Sequence, residues 1–203
     1  MNRKEEWEKE HQPFELAFHN RRNFRHDNEA WDSHWSKVFG KIAGMTPDSM
    51  NGKLAVDIGC GSRPALAWFT DQTGTWNIDP LLNDYKDIPD MKKYWMSKDS
   101  SRLISLPAEV LIDVLVGRMD FILCWNVLDH CYNPESVIKN IIAYAKPGAM
   151  AIISYDVKRP APGHPGIDDP QKILDQIENS FQIVSKSDNT MNRNLVMVLS
   201  KKR

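Results

Sequence analysis

The sequence predicts an α/β fold: a seven-stranded, mostly parallel sheet with an antiparallel last strand, preceded by a helical N-terminal segment. Three observations carry that prediction. From Lys53 onward, short apolar runs alternate with helical stretches. A turn holding two glycines, Gly59 and Gly61, follows the first run. The final two runs, 181–187 and 194–200, have no helix between them, which calls for a hairpin where the earlier runs call for crossovers.

Residues 1–50 carry no strand-like run and read as helices. In WDSHWSKVFGKIAGM, the residues Trp31, Trp35, Val38, Phe39 and Ile42 recur at steps of three and four, so one helix face can pack on a core with both tryptophans as anchors. Pro47 ends this unit. It is expected to form a helical lid over 1–50, with one α/β domain over 51–203. The lid holds His11, His19, His26 and His34; on one continuous helix the 23 residues from the first to the last would extend about 35 Å, too far for a shared ion. These histidines, with Arg21, Arg22 and Arg25, therefore read as a solvated face.

The remaining elements follow in order. LAVDI (54–58) is a strand, PALAWF (64–69) a helix, TWNID (75–79) a strand and KYWM (93–96) a further strand. PAEVLIDVLVG (107–117) reads as helical, MDFILCW (119–125) as a buried strand, ESVIKNIIAYA (135–145) as a helix and AMAIISYDV (149–157) as a strand. DPQKILDQIENS (169–180) is the last helix, and FQIVSKS and NLVMVLS form the closing hairpin. The Pro- and Gly-rich stretch 158–169 reads as a shaped connector at the edge of the site, with His164 as its notable polar residue.

With 26 basic against 27 acidic residues and a net charge of -1, the chain lacks a broad nucleic-acid footprint, and a small-molecule partner is favoured. The three cysteines, Cys60, Cys124 and Cys131, lack the paired spacings of a zinc site or a disulfide framework. The N-terminus is charged and no apolar run approaches about 18 residues, so a soluble, cytoplasmic protein without membrane insertion is expected.

In an open parallel sheet, ligands bind beyond the carboxyl ends of the strands, which is where Asp57 to Gly61 falls. Gly59 and Gly61 remove the Cβ atoms that would keep a ligand off the main chain. Asp79 ends the second strand about 20 residues further on, where a carboxylate can accept both hydroxyls of a ribose. The dinucleotide spacing G-x-G-x-x-G is not met, since no third glycine follows Gly61 in GCGSRPA. Asp57 puts a negative charge where two phosphates would lie but suits an adenosine ligand bearing an ammonium group, which points to S-adenosylmethionine.

VDIGCGSRP, NIDP and FILCWNVLDHCYNPESVIKNIIAYAKPGAMAIISYDV resemble, in order, the first, second, fourth and fifth-strand motifs of class I S-adenosylmethionine-dependent methyltransferases, nearest the type 11-like group. The resemblance implies a Rossmann-like sheet and a cofactor site made by Gly59, Cys60 and Gly61 at the methionine portion, Asp57 at its amino group and Asp79 at the ribose. Pro80 and Leu81 would lie against adenine, as would Ala108 and Glu109, with Asp99 competing for that role. Glu109 also reads simply as an acid in the first turn of a helix after Pro107. Arg63 stands where the family often has a third glycine.

Polar residues follow the fourth strand in NVLDHC. Asn126 is a candidate contact for the methionine part, and His130 a candidate base or substrate contact near the transferred methyl. Asp129 and His130 read equally as stabilisers of the turn before the next helix. Asn126, Asp129 and Asp156 offer oxygens for magnesium, as in the catechol type of methyltransferase, but their spacing does not specify an ion and none is expected. Neither an Asn-Pro-Pro-Tyr-like sequence nor a Pro-Cys nucleophile is present, so the acceptor is expected to be a small metabolite, a sugar or a lipid headgroup. The alternatives are a nucleotide-dependent oxidoreductase and a cofactor-binding partner protein without activity of its own.

Overall fold

Side chains along the strands alternate between two apolar layers, and this decides how the sheet is covered. The computed structural model describes residues 2–21, 24–89, 91, 102–157, 161, 163–189 and 194–203. Its strands are β1 (Ala55–Ile58), β2 (Thr75–Ile78), β3 (Leu103–Ile104), β4 (Met119–Trp125), β5 (Ala145–Asp156), β6 (Phe181–Asn189) and β7 (Asn194–Lys201). They lie in the order β3-β2-β1-β4-β5-β7-β6, all parallel except β7, which runs antiparallel to both β5 and β6. The expected seven-stranded, mostly parallel sheet with a closing hairpin is the fold observed.

Val56, Ile58, Ile122, Cys124, Ala151 and Ile153 face one layer, where they meet α4 (Pro134–Tyr144) and α5 (Pro170–Ser180), which follow the one-turn α3 (Leu82–Tyr85) in the chain, through Ile138, Ile141, Ile173 and Ile177. The intervening Ala55, Phe121, Leu123, Ile152 and Val198 face the other. There they meet α2, which spans 28–42 as an α-helix Asn28–Trp35 continued by a π-helical segment Ser36–Ile42. Trp31, Trp35, Val38 and Phe39 are all buried against the sheet, each contributing about 1.5–3 kcal/mol by the area it removes from water. The periodic face read from 31–45 is thus a structural layer of the sheet.

The helix starts are set locally. Asp27, Asn133 and Asp169 accept the N–H groups of Ala30, Ser136 and Lys172, and Pro134 and Pro170 occupy the first helical position where no donor is needed. The cap of α4 is therefore Asn133, so Asp129 and His130 are left for other work. The stretch 64–69 forms only a 3-10 turn, Ala65–Trp68, because the tighter pitch places Leu66 and Phe69 on one line into the α2 layer. The stretch 107–117 is not the expected helix and holds one 3-10 turn, Asp113–Leu115. Tyr144 explains this: its hydroxyl accepts the Ile112 N–H at 3.0 Å and donates to the Val110 carbonyl at 3.3 Å, engaging the groups a helix would use internally. β5 begins at Ala145, directly after α4 and earlier than expected. The strand expected at 93–96 and the candidate Asp99 lie outside the described residues.

α1 spans 3–20, as Arg3–Glu6, a π-helical turn Trp7–His11 and Gln12–Asn20. It lies across the carboxyl ends of β4 and β5. The Trp7 indole N–H donates to the His130 carbonyl at 2.7 Å, Arg3 pairs with Asp168, and Phe14 packs against Gly163. No helix among the described residues is long and apolar enough to cross a membrane.

Candidate functional site

In register, Ile58 pairs with Ile78 and with Cys124, so the residues after β1, β2 and β4 emerge at one level. Strand order reverses between β1 and β4, and a cleft opens there with about 700 Å³ of space, mouth included. Gly59, Gly61, Asp79, Pro80 and Leu81 form one wall; Ala108, Glu109, Asn126 and His130 form another. α1 supplies a roof of Trp7, His11, Gln12, Glu15 and His19.

The glycine turn is held in place by the strand beside it. Gly59 (φ 66°) and Gly61 (φ 64°) are left-handed. The Gly59 N–H donates to the Ile78 carbonyl at 2.7 Å, and the Gly61 N–H to Asp79 Oδ2 at 2.9 Å. A Cβ on Gly59 would lie 2.3 Å from Val127 Cγ2, and one on Gly61 would lie 2.9 Å from His19 Cε1. Both glycines are thus required by backbone conformation and by close approach. Asp79 Oδ1 accepts the Leu81 N–H at 2.9 Å, and each carboxylate oxygen retains a lone pair for the cleft. Burial pushes its pKa up to about 6 against the pull of the Leu81 and Gly61 amides.

Two expected cofactor residues lie beneath the turn and off the cleft wall. Asp57 is buried, its Oδ2 accepting the Ala65 N–H at 2.9 Å, and burial raises its pKa to about 7 despite that bond. Cys60 turns its side chain into a cluster with Leu82 and Leu103. Glu109 does line the cleft. Its Oε1 accepts the Tyr132 and Asn133 N–H groups at 2.8 and 3.1 Å, while its buried Oε2 has no hydrogen-bond partner.

Asn126 has φ 57°, the one left-handed non-glycine among the described residues, a strained conformation at the end of β4. Its Nδ2 lies 3.0 Å from His130 Nε2. The other His130 nitrogen, Nδ1, lies 3.3 Å from Glu15 Oε2, and Glu15 Oε1 reaches His19 Nε2 at 3.2 Å, with His19 Nδ1 on Ser62 Oγ at 2.8 Å. One carboxylate on α1 thereby bridges the glycine turn and the β4 loop. Burial opposes charge on Glu15, but His130 and His19 hold its carboxyl far below the usual range. Burial likewise disfavours the charged form of His130, and the Glu15, Asp129 and Asp156 carboxylates outweigh it and raise its pKa.

The lid histidines are not a solvated face. His19 is buried over Gly61, and His34 packs edge-on to Trp35 and Trp125, its pKa lowered by burial to about 4. The helix ends at Asn20 and Arg21 is extended, so the chain folds back where a continuous rod would have kept these residues apart. Arg63 does not enter the cleft: its guanidinium stacks 3.9 Å over Trp31 and donates to the Arg25 carbonyl and Asn28 Oδ1 at 3.0 and 3.2 Å, tying the turn to the start of α2. Sequence reasoning missed Glu15, Arg25 and Tyr85, which also line the cleft and carry no local signal.

A family model described as a methyltransferase domain matches residues 24–181. No curated protein matches the chain. Among solved structures, the N-methyltransferase NodS from Bradyrhizobium japonicum WM9, in complex with S-adenosyl-L-homocysteine, is 10% identical with a TM-score of 0.62, covering 95% of this chain and 98% of that one. The 1,6-didemethyltoxoflavin-N1-methyltransferase of Burkholderia thailandensis is 18% identical with a TM-score of 0.57, covering 87% and 80%. The [4+2]-cyclase SpnF is 14% identical with a TM-score of 0.57, covering 86% and 82%. At such identities these likenesses speak for the fold.

Proposed function

The chain belongs to the methyltransferase-domain family, and from that premise we propose that it transfers a methyl group from S-adenosylmethionine to a small-molecule acceptor. The observation that carries the proposal is the cleft itself. A glycine turn with a carboxylate at the end of the next strand lines the same cleft as Glu109, whose buried Oε2 has no hydrogen-bond partner. Asp79 takes the ribose hydroxyls, Glu109 the adenine amino group, and Pro80, Leu81 and Ala108 the faces of the base. Gly59, Gly61 and Asn126 border the methionine portion. Asp57 and Cys60 act through the turn they support.

A dinucleotide fits less well. The amide at the start of the 65–68 turn, which would meet a pyrophosphate, already donates to the Asp57 carboxylate. The α1 roof favours an acceptor small enough to share the cleft. Transfer needs an in-line approach: an acceptor lone pair forms the bond to the methyl carbon while the S–C bond breaks, its electron pair returns to sulfur, and S-adenosylhomocysteine is left. Catalysis of such a step rests largely on alignment. His130, at the end of β4 beside Asn126, is the side chain placed to orient the acceptor or take its proton.

The test is calorimetric titration with S-adenosylmethionine, S-adenosylhomocysteine and NADH, repeated with Asp79→Ala. Micromolar binding of the first two, about -8 kcal/mol, lost in the variant and absent for NADH, is the expected result. NADH binding without sulfonium binding would overturn the reading, and cofactor binding without S-adenosylhomocysteine formation on any acceptor would support a binding partner without activity.

A further inference from the structure

We propose that Asp129, His130 and His164 form a binding site for a first-row divalent transition metal at the mouth of the cleft. Asp129 Oδ2 lies 3.0 Å from His164 Nδ1 and 3.6 Å from His130 Nε2, and the three ligand atoms all fall within 4.8 Å of one another. Ligands about 2.0–2.2 Å from one ion stand close to these separations, so small ring rotations suffice. Two imidazoles and one carboxylate suit zinc, iron or manganese better than magnesium, whose preference is for an all-oxygen shell.

The surroundings are organised as the outer shell of a metal site. His130 holds its second nitrogen, Nδ1, 3.3 Å from Glu15 Oε2, close enough for a carboxylate that, once hydrogen-bonded, would fix a ligating imidazole's tautomer and leave Nε2 with its lone pair. Asp129 is buried, and its other oxygen, Oδ1, accepts the Asp156 N–H at 3.2 Å, so Oδ2 is the one turned to the histidines. The loop after β5 is pinned to the same point. Ala161 and His164 exchange both backbone hydrogen bonds, and the Gly166 N–H donates to the Asp129 carbonyl at 3.0 Å. The two imidazole rings stand 4.0 Å apart. Asn126 Nδ2, 3.0 Å from His130 Nε2, is the group an ion would displace. His11, at the same mouth, has a buried Nδ1 without a partner and is available as a further ligand.

The chemical role of the ion rests on the methyl-transfer reading; its binding does not. An acceptor hydroxyl or phenol reaching the ion would lose its proton to solvent more readily. Its oxygen lone pair would then form the O–C bond as the S–C bond of the sulfonium breaks toward sulfur, the ion unchanged. This makes His130 an orienting group acting through the ion, and it selects acceptors with an oxygen donor.

The experiment is titration of untagged, chelator-treated protein with Zn²⁺ and Mn²⁺ alone, together with the visible absorption of the Co²⁺ form, on the wild type, His164→Ala and Glu15→Gln. The expected result is one ion per chain, a Co²⁺ d–d band, a loss of at least tenfold in affinity in His164→Ala and a weakening of about 10–100-fold in Glu15→Gln. S-adenosylhomocysteine binding and the thermal midpoint, read on the same samples, separate failure of this site from failure of the cofactor reading or of folding. Absence of saturable ion binding by the wild type would overturn the proposal and leave an Asp129–His164 hydrogen-bonded pair. So would ion binding undiminished by His164→Ala.

Discussion

Replacing Gly59 by alanine tests the contact between the glycine turn and β4 directly. The residue sits at φ 66°, and its Cβ would stand 2.3 Å from Val127 Cγ2 and 3.1 Å from Val127 Cγ1. An L-residue held in the left-handed region costs about 1–2 kcal/mol, and pushing Val127 off its position costs a further 1–3 kcal/mol or so. Gly59→Ala should therefore lose about 2–5 kcal/mol. Val127→Ala removes both clashing methyls while leaving its Cβ 3.3 Å away, a tight but tolerable approach. Urea unfolding of the two single variants and the double variant then gives a thermodynamic cycle, provided the m-value holds. The double variant should be more stable than the sum of the singles by about 1–3 kcal/mol, the relief of the clash. Additivity within about 0.5 kcal/mol would refute the steric argument and leave backbone conformation as the whole cost.

Asp79 offers a pH signature. Its pKa is raised by burial to about 6, and only the ionised carboxylate can accept both ribose hydroxyls, so cofactor affinity should be full at pH 7.5 and fall as pH drops through 6. At pH 5 the loss should be about tenfold by mass action, and it should vanish in Asp79→Asn; a flat profile in the wild type would remove Asp79 from the ribose. Arg63→Gly, which installs the third glycine of the family pattern, should destabilise the protein by about 2–4 kcal/mol through loss of the Trp31 stack and the bonds to Arg25 and Asn28. An unchanged denaturation midpoint would show that the turn and α2 are not coupled there.

What could be read from the sequence was whatever repeats locally. The apolar runs LAVDI and MDFILCW, the steps of three and four from Trp31 to Ile42 and the glycine turn each express their structure within a few residues. The failures came from contacts made far along the chain. Nothing in 107–117 reveals that Tyr144 will thread its hydroxyl into that segment. On one continuous helix the histidines of residues 1–50 would stand far apart, and nothing local announces the break after Asn20. Arg63 looked like a defect in a cofactor turn, and its partner Trp31 lies before the sheet begins. Asp129 and His164, 35 positions apart, carry no shared pattern, yet two loops bring them to 3.0 Å.

α1 touches three separate places: the glycine turn through His19, the β4 loop through Trp7 and Glu15, and the β5 loop through Phe14. A cofactor that presses on the first and an acceptor held by the other two would draw on the same closing of one helix. Whatever free energy the first ligand spends to bring α1 down need not be spent again by the second. By linkage, each then raises the other's affinity by the same factor. A single span of helix resting on three supports would thus couple donor to acceptor, and departure of either product would loosen the hold on the other.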